Sequence, residues 1–340
     1  MQGLDLPKVS AWLTANVDGL EAPFTADLIA GGRSNLTFKM TDAAGRSFVL
    51  RRPPTGHVLA TAHDMEREFR IITAVGQTTV PVPRTLGVCA DVEVNDAPFY
   101  VMELVEGTVL DSVDKAALLA YELRIGASEH IVDVLADLHA VDVDAVGLGN
   151  LAKREGYIER QVRRWSTQWD NSKTRELASV DEVARHLSAR IPEQQGVAIA
   201  HGDFRFGNCL TDVSTGRIAA VLDWELCTLG DPLADLGYLG VYWSDGDDAA
   251  ALRSNDPTGA AGFLSYRDVV ERYAARTGRD VSNVGYYVAF SCWRLAVISE
   301  GVLARYLHGA MGDQHLDLAP MKIAVEGLAQ RALDAVRSLG

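Results

Sequence analysis

Asp203, Asn208 and Asp223 are the residues of this 340-residue chain whose types and spacing could do chemistry together. The first two lie five positions apart in His201-Gly202-Asp203-Phe204-Arg205-Phe206-Gly207-Asn208. The third stands twenty positions after the first, in Val221-Leu222-Asp223-Trp224-Glu225. A carboxylate that orients a hydroxyl, followed by an amide and a second carboxylate brought together by a short hairpin, is the set that phosphoryl transfer requires. Magnesium takes hard oxygen ligands and only one or two carboxylates, with water and phosphate oxygens filling the rest of its shell. Asp203 is therefore expected to act as the catalytic base, and Asn208 and Asp223 to be the metal ligands.

Taken singly, each residue has an ordinary alternative. Asp203 follows a glycine, where a turn aspartate is common, and Asp223 follows the apolar run Ala219-Ala220-Val221-Leu222, where a carboxylate can simply end a strand. The joint spacing favours chemistry over both. His201, preceded by Val197-Ala198-Ile199-Ala200, is expected to brace the loop, and Glu225 either to reach the metal or to brace the loop as well. Asp231 and Asp235, in Gly230-Asp231-Pro232-Leu233-Ala234-Asp235-Leu236, read as supports at a helix start, where an aspartate caps free N–H groups.

These residues need elements to hold them and, for a kinase, a place for ATP. Gly31-Gly32-Arg33-Ser34-Asn35 lies between two strand-like runs, Phe24 to Ile29 and Leu36 to Met40. Small residues there let backbone N–H groups approach phosphates, so Gly31, Gly32 and Ser34 are candidate nucleotide contacts; the alternative is a plain hairpin turn. Arg51 ends the strand Ser47 to Arg51 and could neutralise the phosphates, with Glu68 on the next helix to hold it. That helix, His63 to Val75, should face inward with Met65, Phe69, Ile72 and Val75, and Glu66 should point elsewhere. In Tyr100 to Gly107, the backbone near Glu103 and Val105 could meet an adenine edge. Leu6 to Val17 reads as an opening helix with Val9, Leu13 and Val17 on one face, and Val88 to Val94 with Phe99 to Leu104 as an antiparallel pair joined by Asn95-Asp96.

After Gly107 the pattern turns helical: His130 to His139, Glu155 to Trp169, Thr174 to Ile191, then helices from Asp231, Tyr266, Gly285 and His315 around the hairpin 201–225. The expected organisation is an N-terminal lobe, 1–106, with a mixed sheet and one prominent helix, and a larger lobe, 107–340, hinged at Glu106-Gly107.

The net charge of −14 argues against a nucleic-acid or anionic-membrane partner. With 48% apolar and 23% charged residues the composition is that of an ordinary globular protein, and no apolar run reaches the roughly 18 residues of a spanning helix. Four cysteines are scattered without a C-x-x-C pair, so neither structural zinc nor a disulfide framework is expected. With no basic n-region and apolar stretch at its start, the chain is expected to be cytoplasmic. Its oligomeric state is left open.

The pattern H-G-D-x-x-x-x-N, then L-D-W-E, then G-D-P-x-x-D-L resembles the aminoglycoside phosphotransferase and choline-kinase superfamily over nearly the whole chain. Tyr157 to Trp165 and Val49-Leu50-Arg51-Arg52-Pro53-Pro54 resemble a subgroup that includes the kinase-like N-terminal modules of certain acyl-CoA dehydrogenases. The resemblance implies an α+β, two-lobed protein-kinase-like fold, with an antiparallel sheet plus helix in the N-lobe and a mainly helical C-lobe. It also implies ATP in the cleft, Asp203 as base, and Asn208 and Asp223 as magnesium ligands. One departure is Arg51 where the family places lysine. The two are not interchangeable, although a guanidinium can grip phosphate bidentately, and either Arg51 or Arg52 could do so.

The expected partner besides ATP is a small-molecule hydroxyl acceptor. An acidic stretch, Ser244-Asp245-Gly246-Asp247-Asp248, would suit a polycation if it lay near the pocket. Arg160, Arg163 and Arg164 with Trp165 and Trp169 on one helix would suit an anionic, partly apolar acceptor such as a hydroxyacyl-CoA. The subgroup resemblance tips the balance toward a hydroxylated acyl compound or other metabolite. Two other readings compete. A catalytically silent nucleotide-binding pseudokinase is motivated by the missing lysine and opposed by the retained Asp203, Asn208 and Asp223. A metal-dependent hydrolase built on His201, Asp203 and Asp223 would need further histidines, and His139, His186 and His308 lack ligand spacing.

Overall fold

A computed structural model of the chain describes residues 3–30, 35–55, 64–244, 256–309 and 317–339. Asp5 caps the first helix, α1 (Leu6–Asn16), through the N–H of Lys8, and Val9 and Leu13 are its buried face. Three strands follow, β1 (Thr25–Ala30), β2 (Leu36–Thr41) and β3 (Ser47–Arg52), then α2 (Met65–Val75), β4 (Thr85–Cys89), the single turn α3 (Val92–Asn95) and β5 (Phe99–Glu103). The sheet runs β1-β2-β3-β5-β4, and every neighbouring pair is antiparallel, so it is not mixed.

Side chains alternate across a strand, and here that alternation divides two cores. Phe48, Leu50, Phe99 and Val101 pack with Val9 and Leu13 under α1. Val49, Tyr100 and Met102 turn to the opposite face, with Met65, Ile72 and Val75 of α2. Glu68 lies on that buried face of α2, while Phe69 is only partly buried, which corrects the expected inward set. The expected hairpin about Asn95-Asp96 is also corrected. Asp91 caps the N–H of Glu93, which starts α3 in place of a continuing strand.

Beyond Glu103 the chain crosses into a helical lobe. Its elements are α4 (Val113–Ala116), α5 (Arg124–Ala140), α6 (Tyr157–Ser172), α7 (Ala178–Ala189), β6 (Ala198–Ala200), β7 (Cys209–Asp212), β8 (Arg217–Val221), β9 (Thr228–Gly230), α8 (Leu233–Val241), α9 (Tyr266–Thr277), α10 (Val284–Leu307) and α11 (Ala319–Ser338). At the crossing, Gly107 has φ 154° and a Cβ on it would lie 2.9 Å from Leu210 Cβ. Thr108 and Thr211 exchange backbone hydrogen bonds of 2.8 and 2.9 Å, so the connector is tied to the β7–β8 hairpin. All four cysteines are free and buried.

Among the described residues one helix, α10, has the length and mean hydropathy of a membrane span, 1.3 in its most apolar window, although Arg294 and Glu300 interrupt its apolar run. That window is 67% buried inside the protein, and α10 packs on α6, α7, α8 and α11. Its apolarity therefore serves the core. The α8–α10 contact is backbone-close: a Cβ on Gly237 would sit 2.5 Å from the carbonyl carbon of Tyr287. Gly237→Ala gains about 1 kcal/mol in helix propensity but must push two core helices apart, which costs about 1–3 kcal/mol. The urea midpoint is expected to fall; an unchanged or higher midpoint would contradict this packing.

Candidate functional site

The loop from His201 to Asn208 is fixed from below. β6 pairs with β9, and the next two backbone N–H groups, of His201 and Gly202, donate to the buried Asp235 carboxylate on α8 at 2.6 and 2.8 Å. His139 of α5 stands 3.3 Å from the same carboxylate and 2.7 Å from the Tyr273 hydroxyl. Burial pushes the His139 pKa down; Asp235 is held below the ordinary carboxylate value, because His139 and the loop N–H groups outweigh its burial. Asp231 accepts from Leu233 N–H and from the Tyr287 hydroxyl at 2.7 Å. Gly202 has φ 85°, and a Cβ there would come within 2.9 Å of the Leu226 carbonyl oxygen, so the turn requires glycine.

Asp203 follows, with its side chain 20% exposed. The Asn208 amide nitrogen donates to Asp203 twice, to Oδ2 at 2.7 Å and to the backbone oxygen at 2.8 Å. This leaves the amide oxygen of Asn208 as its remaining side-chain acceptor. Leu222 N–H donates to the Asn208 carbonyl at 2.8 Å, which closes the hairpin and carries Asp223 to the loop. Asp223 has φ 65°, a left-handed conformation uncommon for a residue with a side chain. His201 braces this bend: its Nε2 meets the Leu222 carbonyl at 2.9 Å, Nδ1 accepts from Asp203 N–H at 3.2 Å, and its ring packs 4.8 Å from Trp224. With both ring nitrogens so engaged, His201 is not available as a metal ligand.

The opposite wall comes from the sheet. Arg51 pairs across strands with Tyr100 and Thr37. Its Nη2 reaches Asp223 Oδ1 at 2.6 Å, and its Nε lies 3.3 Å from Glu68 Oε2. Glu68 also accepts from the Tyr100 hydroxyl at 3.0 Å and the Asn35 amide at 3.2 Å. Burial raises the Glu68 pKa, with Arg51 and these bonds opposing it; for Arg51, burial is outweighed by Tyr100, Glu68 and Asp223, and its pKa rises. Arg52, one position on, faces the other side of the sheet and donates to the Gly3, Pro53 and Asn95 carbonyls. Arg51 is thus the arginine in the cleft, and Arg52 is structural. Arg67 of α2 donates to the Cys227 carbonyl, tying the Glu68 helix to the turn after Asp223.

Between the two walls lies a cleft of about 370 Å³, lined by Val49, Arg51, Tyr100, Met102, Leu104 and Leu210, with Asp223 at one end. Glu103 and Val105 lie on its rim. The Glu103 N–H is already bonded to the Arg84 carbonyl at 2.8 Å and its exposed side chain lies beside Arg84, so that N–H is not open to a ligand. Gly31, Gly32 and Ser34 lie outside the described residues, as does the acidic stretch after Ser244.

No cluster of three or more His, Cys, Asp or Glu among the described residues could hold a metal. What is present, the amide oxygen of Asn208 and the cleft-lining carboxylate of Asp223, matches the sparse hard-oxygen set of Mg²⁺ and not a zinc site. The basic helix does not serve the cleft as expected. Arg163 and Arg164 are exposed, Arg164 stacks on its neighbour Trp165, Arg160 donates to the Lys153 carbonyl, and Trp169 is buried against Asp181. The residues that sequence reasoning missed are Tyr100 and Asn35 on Glu68, and Arg205, Tyr238, Tyr242 and Arg294 around Asp203. Arg294 as the single charge in the apolar stretch 284–299 of α10 was the one available signal for it.

A model of the phosphotransferase enzyme family matches residues 25–267, which include the cleft and the whole loop 201–208. The chain belongs to that family. Acyl-CoA dehydrogenase family member 10 of Mus musculus is 35% identical over 282 residues. The match covers 82% of this chain but only 26% of the mouse protein, so the chain spans about a quarter of that relative. A presumptive aminoglycoside phosphotransferase from Ralstonia eutropha JMP134 superposes with a TM-score of 0.84 at 31% identity, covering 98% of both chains. Choline kinase of Cryptosporidium parvum superposes at 0.68 with 12% identity, which supports the shared two-lobed fold. Against these phosphotransferase-family structures, the antiparallel five-stranded sheet and the helical lobe are the expected parts.

Proposed function

We propose that this family member is a cytoplasmic, ATP- and Mg²⁺-dependent phosphotransferase. It would move the γ-phosphoryl group to a hydroxyl of a small molecule: a hydroxylated acyl compound such as a hydroxyacyl-CoA, or another metabolite. The observation that carries the proposal is the pair of hydrogen bonds that the Asn208 amide donates to Asp203, with Asp223 brought beside it by the hairpin and met by Arg51 from the other lobe. When bound, Mg²⁺ and ATP supply the transferable phosphoryl group and the neutralisation of its charge.

The chain's own residues supply position. Asn208 and Asp223 would hold the metal by their oxygens, and Arg51, steadied by Glu68, would face the phosphates. Asp203 would accept or orient the acceptor's hydroxyl proton. Holding reactants in line is the main part of catalysis in this chemistry. Slow Mg²⁺-dependent ATP hydrolysis is expected even without acceptor. Asp223→Ala should raise the Mg²⁺ concentration for half-maximal hydrolysis at least tenfold, since loss of supporting groups outside the ligand shell alone costs about 10–100-fold. A mass-spectrometric screen for an added phosphoryl group on sugars, amino alcohols, aminoglycosides and hydroxyacyl-CoAs would identify the acceptor.

A silent nucleotide-binding module is the second reading, and one observation favours it: Arg51 bonds directly to the Asp223 carboxylate at 2.6 Å. Hydrolysis that is absent with Mg²⁺ present, while nucleotide still binds, would decide for this reading.

A further inference from the structure

We infer that the acceptor carries its own negative charge close to the hydroxyl it offers, and that Arg205 reads that charge. The inference rests on the phosphotransferase reading above and narrows it, among the acceptors named there, to a free hydroxy acid or phosphate in preference to a hydroxyacyl-CoA, whose thioester is uncharged. Arg205 lies two residues after the base and folds back over it. Its Nε is 3.3 Å from Asp203 Oδ1, its guanidinium stacks 4.7 Å from the Tyr242 ring, and its side chain is 20% exposed, as is that of Asp203. The space above Gly207, which any side chain would fill, is occupied by the Arg205 guanidinium. Base and arginine are thus in contact, and each is partly open to solvent.

A second arginine stands nearby. Behind the loop, Arg294 is 7% exposed, donates to the Gly202 carbonyl at 2.7 Å, and lies 4.7 Å from the Tyr238 ring. Its Nε has no hydrogen-bond partner among the described residues. Burial, and then the nearby Asp203 charge, push the Tyr238 hydroxyl pKa up and keep it protonated. Among the described residues, Asp203 is the only carboxylate paired with Arg205, and the terminal nitrogens of Arg205 bond nothing.

A hydroxyl within the roughly 2.6–3.2 Å that proton transfer requires of Asp203 puts groups on the next few carbons within reach of those nitrogens. An ammonium there would meet a like charge. A carboxylate or phosphate would meet a planar fork of donors already fixed by stacking. The exposed arginines of α6 are not needed for this selectivity.

The test compares short hydroxyalkanoates with their methyl esters, with matching amino alcohols and with glycerol phosphate, using the full chain, Mg²⁺ and ATP. The hydroxy acid or the phosphate should show a kcat/KM roughly tenfold to a hundredfold above the neutral and cationic analogues, the ratio of one charge-assisted contact. Which anion prevails distinguishes carboxylate from phosphate. Arg205→Gln should bring the acid-to-ester ratio near one, and Arg205→Lys should restore part of it. Equal use of the ester, preference for the amino alcohol, or an unchanged ratio in Arg205→Gln would overturn the inference. So would equal losses for acid and ester, which would place Arg205 on the transferred phosphate. If no acceptor in the series reacts, inhibition of basal ATP hydrolysis by the non-hydroxylated carboxylates decides. No inhibition refutes the anionic subsite, while persisting hydrolysis leaves the phosphotransferase reading intact.

Discussion

Asp203→Asn is expected to lower acceptor phosphorylation by about 10²–10⁴-fold, the range of one positioned general base, with Mg²⁺-ATP affinity changed only a few-fold. The substitution is chosen for what it preserves. An asparagine oxygen can still accept from the Asn208 amide, so the oxygen offered by Asn208 stays in place. What disappears is the negative charge and the ability to take a proton. Alanine would be a poorer probe, because it would also release Asn208 and confound loss of the base with loss of metal affinity. Turnover by mass-detected product and affinity by calorimetry separate the two effects. Undiminished phosphorylation would remove Asp203 from its assigned role.

Asp235→Ala is expected to destabilise the fold by about 3–5 kcal/mol, the cost of removing one partner of a buried charged network. It strips the acceptor from two buried backbone N–H groups, of His201 and Gly202, and leaves His139 facing an empty side. Each donor left unsatisfied costs about 1–3 kcal/mol. The same network sets a pH dependence. The folded pKa of Asp235 is depressed, so its contribution is complete above its unfolded value of about 3.9 and is lost as pH falls through the lower folded value. The folded pKa of His139 is also depressed, because burial favours the neutral ring. Its contribution is therefore full above about 6.5 and begins to fade as pH drops below that value. Urea midpoints should thus decline on acidification in two stages, the first below about pH 6.5. Midpoints that rise between neutral and mildly acidic pH, or an Asp235→Ala protein as stable as the parent, would contradict this network.

The catalytic loop and hairpin were legible because they are local. Asp203, Asn208 and Asp223 lie within 21 residues, and short-range spacing in a turn and hairpin fixes what meets what. Arg51 and Glu68 were legible from the order strand, then helix. Tyr100 was not singled out, although its two-residue alternation with Met102 already put it on the Glu68 face; its cross-strand pairing with Arg51 is a register that no local pattern states. Arg294 and Tyr238 come from helices that meet the loop only through tertiary packing, and their apolar surroundings read as plain core. The helix 92–95 was misread because its valines fit a strand period, while the cap at Asp91 that starts it rests on a single side chain. The basic stripe on α6 was real in spacing but says nothing about which side of the helix meets solvent.

The seam between Thr108 and Thr211 has a consequence for how the molecule breathes. Two backbone hydrogen bonds and the close approach of Gly107 to Leu210 fasten the back edge of the cleft to the hairpin that carries Asp223. Sliding of one lobe past the other would break that seam, whereas rotation about it would not, so any opening of the cleft would be a hinge motion and not a shear. The far edge then swings widest, and the first clasp to part is the one between Arg51 and Asp223. Whatever entered by that motion would meet an arginine and a carboxylate freed from each other, each open to a new counter-ion.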